Sequence, residues 1–300
     1  MFNRRSPLVQ MARCFQAIPS PIYDWVDPLL LRLNSRQTKA PQLFIIAPPR
    51  SGSTLTYQVL ASGLDCLYLN NLWNLLYAIP YIGARLSRDR GHISSFTSHH
   101  GLVPGLKGEA EGLRFWTHWT GQGLSEASGP APKKAEYLRR AILAAQNEHA
   151  FLSSYLGHVF CIDYLRELFP NPLFIYLKRD YLSNAYSLYK AHNQGENWFS
   201  LRPKGIDPEA SRHKQVVQQL LGVHRCIQAS LGRGDSIEIG YEALCENPRE
   251  IIDQVSDFAA EKGYSLPQRS IAFPDFSAKT IHADMDADAE ALDALLKASL

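Results

Sequence analysis

The sequence predicts an α/β fold, a central parallel β-sheet flanked by helices. Three observations carry this. Leu43 to Ala47 (LFIIA) and Leu173 to Leu177 (LFIYL) are short unbroken apolar runs, as expected of strands buried on both faces. Between them lie stretches whose apolar residues recur at helical spacing. Strand-like and helix-like segments also alternate along the chain, the order that yields parallel sheets with helices on both faces. With 300 residues, 45% of them hydrophobic, the chain can bury a sizeable core and is read as a single domain over 1–300.

In order, residues 1 to 40 form an N-terminal helical and extended segment. It is rich in proline, and the apolar density between Tyr23 and Leu33 predicts a short helix packed on the domain. After the first strand, a loop over Pro48 to Ser53 leads into a helix carrying Leu55, Val59 and Leu60, which Gly63 ends; Ser53 is an acceptable cap for it. Leu72, Leu75, Leu76 and Ile79 predict an amphipathic helix stopped by Pro80. Residues 84 to 134 lack long periodicity and combine glycines, histidines and two tryptophans, which reads as an insertion of binding loops. Helices follow over Lys134 to Gln146 and from Ile162 to Phe169, the latter stopped by Pro170. Beyond the second strand come a helix near Leu182 to Lys190, a long one over Pro208 to Leu231, and a strand at Ile237 to Ile239. Asn247-Pro248-Arg249-Glu250 gives a helix start with an Asn cap, Pro at the first position and Glu at the third. Ile251, Ile252, Val255, Phe258 and Ala259 form its buried stripe, and Gly263 ends it.

A strand that opens through a small-residue loop into a helix aims backbone N–H groups and the positive helix end at one point, a geometry that binds phosphate. The Walker pattern GxxxxGK[ST] overlies Ala47 to Thr54, but only Gly52 and Thr54 fit; Ala47 replaces the first glycine and Ser53 the lysine. The cation is Arg50 instead, and Ser51, Ser53 and Thr54 supply hydroxyls.

Composition sets further bounds. A net charge of +2 gives no support for nucleic-acid binding. The five cysteines are odd in number, scattered and without a CxxC pair, which suits a reducing compartment. The N-terminus is a poor signal peptide, and the greasiest segment, Leu72 to Ile82, is too short to span a membrane. These readings predict a cytoplasmic protein. No metal site is expected. Asp284, Asp286 and Asp288 open like a calcium loop, but Ala289 and Leu295 stand where Gly and Glu are required, and His99-His100 lacks a third ligand.

Pro49 to Thr54 (PRSGST) resembles the P-[RK]-S-G-[ST]-T loop of sulfotransferases that use 3′-phosphoadenosine 5′-phosphosulfate (PAPS). Arg179-Asp180-Tyr181 with Ser187 resembles that family's R-[ND]-P-x(5)-S pattern, Tyr181 standing in the proline position. Leu165 to Arg179 resembles its L-x-x-x-F-P-[ND]-x-x-[FIL]-I run, and Tyr241 to Ile252 its Y-E-[DA]-L-x-x-[DN]-P segment. The resemblance implies a P-loop-like sulfotransferase fold and in-line, metal-independent sulfuryl transfer from PAPS to a hydroxyl or amine. The product would be 3′,5′-ADP, and the acceptor a small molecule, carbohydrate or lipid. It implies that Arg50, Ser51, Gly52, Ser53 and Thr54 hold the 5′-phosphosulfate, Arg179 and Ser187 the 3′-phosphate, and that Tyr241 lies near the adenine. Arg50 also takes a catalytic role, at the leaving phosphate. Glu111, with Phe115 and Trp116 after it, resembles the latter half of a P-x-E-x-x-x-F-W segment in bacterial members, which implies Glu111 as general base. Glu109, His99, His100 and His118 are its rivals, the insertion over 84–134 would lie on the acceptor side, and Trp116, Trp119 and Trp198 are candidates to line the acceptor site. Where the family often carries a Lys or Arg before the L-x-x-x-F-P run, this chain has Ser154 and Cys161. The alternatives are a P-loop nucleotide kinase or NTPase, for which Val159 to Asp163 would be the second motif, and a catalytically inactive nucleotide-binding relative. The oligomeric state is left open.

Overall fold

The computed structural model describes residues 20–34, 38–88, 92–98, 101–127, 132–194 and 198–300. In chain order its elements are α1 (Ser20–Leu33), β1 (Gln42–Ile46), α2 (Ser53–Gly63), β2 (Cys66–Tyr68), α3 (Asn71–Leu75), α4 (Pro80–Ser87), α5 (Leu113–Thr120) and α6 (Pro132–Gln146). Next come β3 (Ala150–Ser154), a 3₁₀ turn (Leu156–Phe160), α7 (Ile162–Leu168), β4 (Pro172–Lys178), α8 (Tyr181–His192) and α9 (Arg212–Ser230). The chain closes with β5 (Ser236–Gly240), α10 (Tyr241–Glu246), α11 (Pro248–Glu261) and α12 (Ala287–Lys297). The five strands form one parallel sheet in the order β2-β3-β1-β4-β5, as the alternating pattern predicts.

Side chains alternate across the central strands and split the core in two. Phe44, Ile46, Phe151, Phe174 and Tyr176 face one side, where α5, α6, α7 and α9 cover them. Leu43, Ile45, Leu152, Leu173, Ile175 and Leu177 face the other, under α2, α10 and α11. A third cluster joins α8, α9 and α12 through Leu188, Leu220 and Leu292. The predicted N-terminal helix is pinned by Asp27, which is 1% exposed. Its carboxylate accepts the Tyr81 and Ile82 amides at the start of α4 and the Tyr137 hydroxyl at 2.6 Å.

Several boundaries differ from expectation, each for a local reason. Pro80 does not stop a helix; it opens α4, sitting where a missing N–H costs nothing, while the preceding helix ends at Leu75. The long helix begins at Arg212, not Pro208, because Ser211 caps it by accepting the Lys214 amide. Gly52 in left-handed conformation, rather than Ser53, precedes α2. Val159 to Asp163, by contrast, is no strand, as the helical stripe from Ile162 predicts; it runs from the 3₁₀ turn into the first turn of α7. Asp286 caps α12, accepting the Ala289 amide at 2.8 Å. Among the described residues, no helix is long and apolar enough to cross a membrane.

The topology positions one crevice. From β1 the chain moves out to β2 and β3 on one side and later to β4 and β5 on the other, so strand order reverses between β1 and β4. Open α/β sheets bind ligands outside the carboxyl ends of strands at such a point. Ile46 pairs with Tyr176, which sets the loop after β1 beside the residues that leave β4.

Candidate functional site

The loop after β1 is wound tightly. The Ser51 amide and hydroxyl both donate to the Pro48 carbonyl, the hydroxyl at 2.7 Å, so this buried side chain faces into the loop. Arg50 (φ 64°) and Gly52 (φ 98°) take left-handed backbone, which turns the chain back into α2. No side chain caps the first turn of α2, leaving its positive end open to a neighbouring cavity of about 650 Å³. Arg50, Gly52, Ser53 and Thr54 line that cavity together with Arg179 and Tyr241.

Arg179 leaves β4 and reaches back to the loop, donating from Nη1 to the Arg50 carbonyl at 2.9 Å and from Nη2 to the Lys279 carbonyl at 3.0 Å. Its Nε is buried and has no hydrogen-bond partner among the described residues. Arg50 in turn donates from Nε to Ser187 Oγ at 3.2 Å. The two guanidiniums repel: burial, then Arg179, lowers the pKa of Arg50. Neither forms an ion pair with a carboxylate among the described residues. The Tyr241 ring lies over Arg179, with the guanidinium carbon 4.8 Å from its centroid. It also covers Gly52, where a Cβ would fall 2.2 Å from two ring carbons. Asp180 caps α8 by accepting the Ser183 amide, so Tyr181 opens the helix at the position proline would take. Five of the residues singled out in sequence, Arg50, Gly52, Arg179, Ser187 and Tyr241, therefore meet through direct contacts, although they come from three separate segments.

Glu111 arrives from a fourth segment. The Ala110 amide donates to the Leu69 carbonyl and Glu109 bridges Asn70, which fixes the chain just ahead of α5. Phe115 and Trp116, both fully buried, then anchor α5 on the sheet; Trp116 meets Phe44 edge-on at 6.3 Å. Glu111 lines the 650 Å³ cavity and also a second one of about 990 Å³; the two share Gly101, Leu113 and Leu124 as well. A Cβ on Gly101 would lie 3.2 Å from Glu111 Oε1 and 3.7 Å from Thr54 Oγ1, so carboxylate and loop hydroxyl face the same small space. Burial raises the Glu111 pKa to about 7.

The other candidates separate by geometry. The Glu109 carboxylate is buried and engaged by His92 at 3.2 Å and Ser94 at 3.1 Å. His118 lines the larger cavity, edge-on to Tyr77 and Trp119, and burial, then Lys134 and Arg114, lowers its pKa. His99 and His100 lie outside the described residues. None of the three tryptophans borders either cavity, contrary to expectation. Trp116 is core, Trp119 donates to the Tyr77 carbonyl at 2.6 Å, and Trp198 donates to the Leu201 carbonyl at 3.1 Å. Large indoles fill interior volume, and three-dimensional packing decides which interior. Sequence reasoning also missed Asn184, fully buried on α8, whose Nδ2 donates to the Pro49 carbonyl at 2.8 Å and ties the loop to α8. Its one signal was its place a turn before Ser187 on the same helix.

A model described as the sulfotransferase family matches residues 41–262. Comparison with curated proteins finds no match. Among solved structures, a sulfotransferase from Mycobacterium avium is 11% identical with TM-score 0.53, covering 93% of this chain and 72% of its own. One from Mycobacterium tuberculosis is 13% identical with TM-score 0.46, covering 91% and 80%. One from Alicyclobacillus acidocaldarius is 14% identical with TM-score 0.43, covering 86% and 96%. The first supports the shared fold; the family match carries more, because its span holds the whole sheet, both arginine-bearing loops and Glu111. On that match, the chain belongs to the sulfotransferase family.

Proposed function

We propose that this sulfotransferase moves a sulfuryl group from PAPS to a hydroxyl or amine of a small-molecule, carbohydrate or lipid acceptor, in line and without a metal. The observation that carries this reading is the pair of guanidiniums, Arg50 and Arg179, held side by side without a carboxylate partner among the described residues. Like charges packed together are unfavourable until an anion joins them. A donor with phosphate groups at both ends of a nucleoside supplies two, and PAPS would also supply the activated sulfuryl group. The buried, unpartnered Nε of Arg179 is a further donor for it.

Each residue then has a role. Arg50, the open first-turn amides of α2, Ser53 and Thr54 neutralise and hydrogen-bond the 5′-phosphate, on which charge grows as the sulfuryl group departs. Ser51 holds the loop shut. Arg179 and Ser187 read the 3′-phosphate, and the Tyr241 ring supports the nucleoside. Glu111 takes the proton of the acceptor; a carboxyl that titrates about pH 7 suits a general base at neutral pH. Its position between the two cavities supports a nucleotide on one side and an acceptor on the other.

The test is calorimetric titration with 3′,5′-ADP and 5′-AMP in the presence of a chelator. Charge-assisted hydrogen bonds to the 3′-phosphate are worth roughly 1.5–3 kcal/mol, so 3′,5′-ADP should bind at least about tenfold tighter. Equal affinities, or a requirement for Mg²⁺, would sink the assignment.

A further inference from the structure

The 990 Å³ cavity is at the upper end of the size range that takes a small organic ligand. Val103, Ala110, Leu113 and Leu124 give it apolar walls. Leu102 and Leu113, 56% and 48% exposed, form an apolar rim. Such walls favour a ligand with an apolar body over a fully hydroxylated sugar.

One wall is different. Arg114 lines it in the first turn of α5, where the helix dipole disfavours a cation. Arg114 is nevertheless oriented, its guanidinium 4.3 Å above the Tyr77 ring and Nη2 donating to the Tyr77 hydroxyl at 2.9 Å. His118 is one turn further along the same face of α5, and both Arg114 and Lys134 press on it electrostatically. No carboxylate pairs with Arg114 among the described residues: Glu109 is engaged by His92 and Ser94, and burial sets the state of Glu111. The cavity thus holds a carboxylate at the end shared with the nucleotide side and an uncompensated guanidinium away from it.

Resting on the sulfuryl-transfer reading, we propose that the acceptor is an anionic amphiphile. Its hydroxyl meets Glu111, its apolar body lies along Val103, Ala110 and Leu124, and its carboxylate, sulfate or phosphate group is held by Arg114. Arg114 is then a specificity-determining residue. In the reaction the acceptor oxygen attacks sulfur, the bond from sulfur to the phosphate oxygen breaks, Glu111 receives the hydroxyl proton, and 3′,5′-ADP leaves with the electron pair.

The test uses the full chain and ω-hydroxy fatty acids from hexanoic to hexadecanoic, each compared with its uncharged primary amide. Affinity is measured by calorimetry with and without 3′,5′-ADP, and transfer with labelled PAPS. At the best chain length the acid should bind at least about tenfold more tightly than the amide. Arg114→Gln should abolish the difference and Arg114→Lys retain part of it, with 3′,5′-ADP affinity and melting temperature unchanged in both. Equal binding of acid and amide, no binding by any member, or a preference that survives Arg114→Gln overturns the proposal. Failure of 3′,5′-ADP to bind is a separate result that overturns the PAPS reading, because the acid–amide comparison without nucleotide reads Arg114 by itself.

Discussion

Arg50 occupies left-handed backbone that costs a residue with a side chain about 1–2 kcal/mol, and it does so beside a second guanidinium. Both costs place its charge at the mouth of α2. Arg50→Ala should therefore lower the single-turnover rate constant by about 10²–10³, the loss typical of a group that stabilises developing charge. Nucleotide affinity should fall far less, and an unchanged rate with weakened binding would make the loop a passive cradle. Glu111 carries the opposite cost, a carboxylate that burial destabilises. As a base it must lose its own proton first, so the rate should rise with pH and level off above about 7. Glu111→Gln should flatten that profile and lower the rate by about 10²–10⁴, with 3′,5′-ADP binding intact. A variant with wild-type single-turnover rates removes Glu111 from the mechanism. The E-x-x-x-F-W pattern has a physical reading at this scale: its aromatic end is fully buried and fixes α5, and its acidic end is thereby held at the cavity.

At the scale of elements, the β1–α2 connection depends on Gly52. Its backbone is left-handed, and the Tyr241 ring occupies the space of a Cβ. Gly52→Ala must strain the turn and displace Tyr241 from Arg179, so calorimetry should find 3′,5′-ADP binding lost and scanning should find a lower melting temperature. A variant that melts and binds like wild type would mean the turn has another route open to it. This element was legible because a strand, a small-residue loop and a helix follow one another directly in the chain. The start of α11 was legible likewise, since the Asn247 side chain accepts the Glu250 amide and Pro248 takes the first helical position, all within one turn. Pro80 was misread for the same local reason: it is compatible with stopping one helix or opening the next, and the packing of α4 against Asp27 decides.

At the scale of the whole molecule, the core face under α5 and α6 holds one titratable group that does not fit the pattern. His158 is 1% exposed, ringed by Phe44, Trp116 and Tyr155, and neither ring nitrogen has a partner among the described residues. Burial lowers its pKa to about 3. The unfolded chain binds a proton near pH 6.5 that the folded chain refuses, so stability is full above that pH and falls as the pH drops toward 3. His158→Phe should reduce the slope of unfolding free energy against pH in that window by about 1.4 kcal/mol per pH unit, the linkage of one proton. Denaturant titrations at several pH values measure it, and an unaltered slope would refute the assignment to His158.

The sequence by itself determined the alternation of strands and helices, the loop over Pro49 to Thr54 that opens a helix, and the spacing of Arg179 and Ser187, because these rest on interactions between near neighbours. Tertiary structure decided what depends on strand order and packing: that β1 lies beside β4, that Tyr241 closes over Gly52, and that Asn184 ties the loop to α8. It also decided that Glu111 borders the cavities with its carboxylate unpaired among the described residues while Glu109, two residues away, is held by His92 and Ser94. The two acids are alike in composition. Burial and partners distinguish them, and both come from residues distant in the chain.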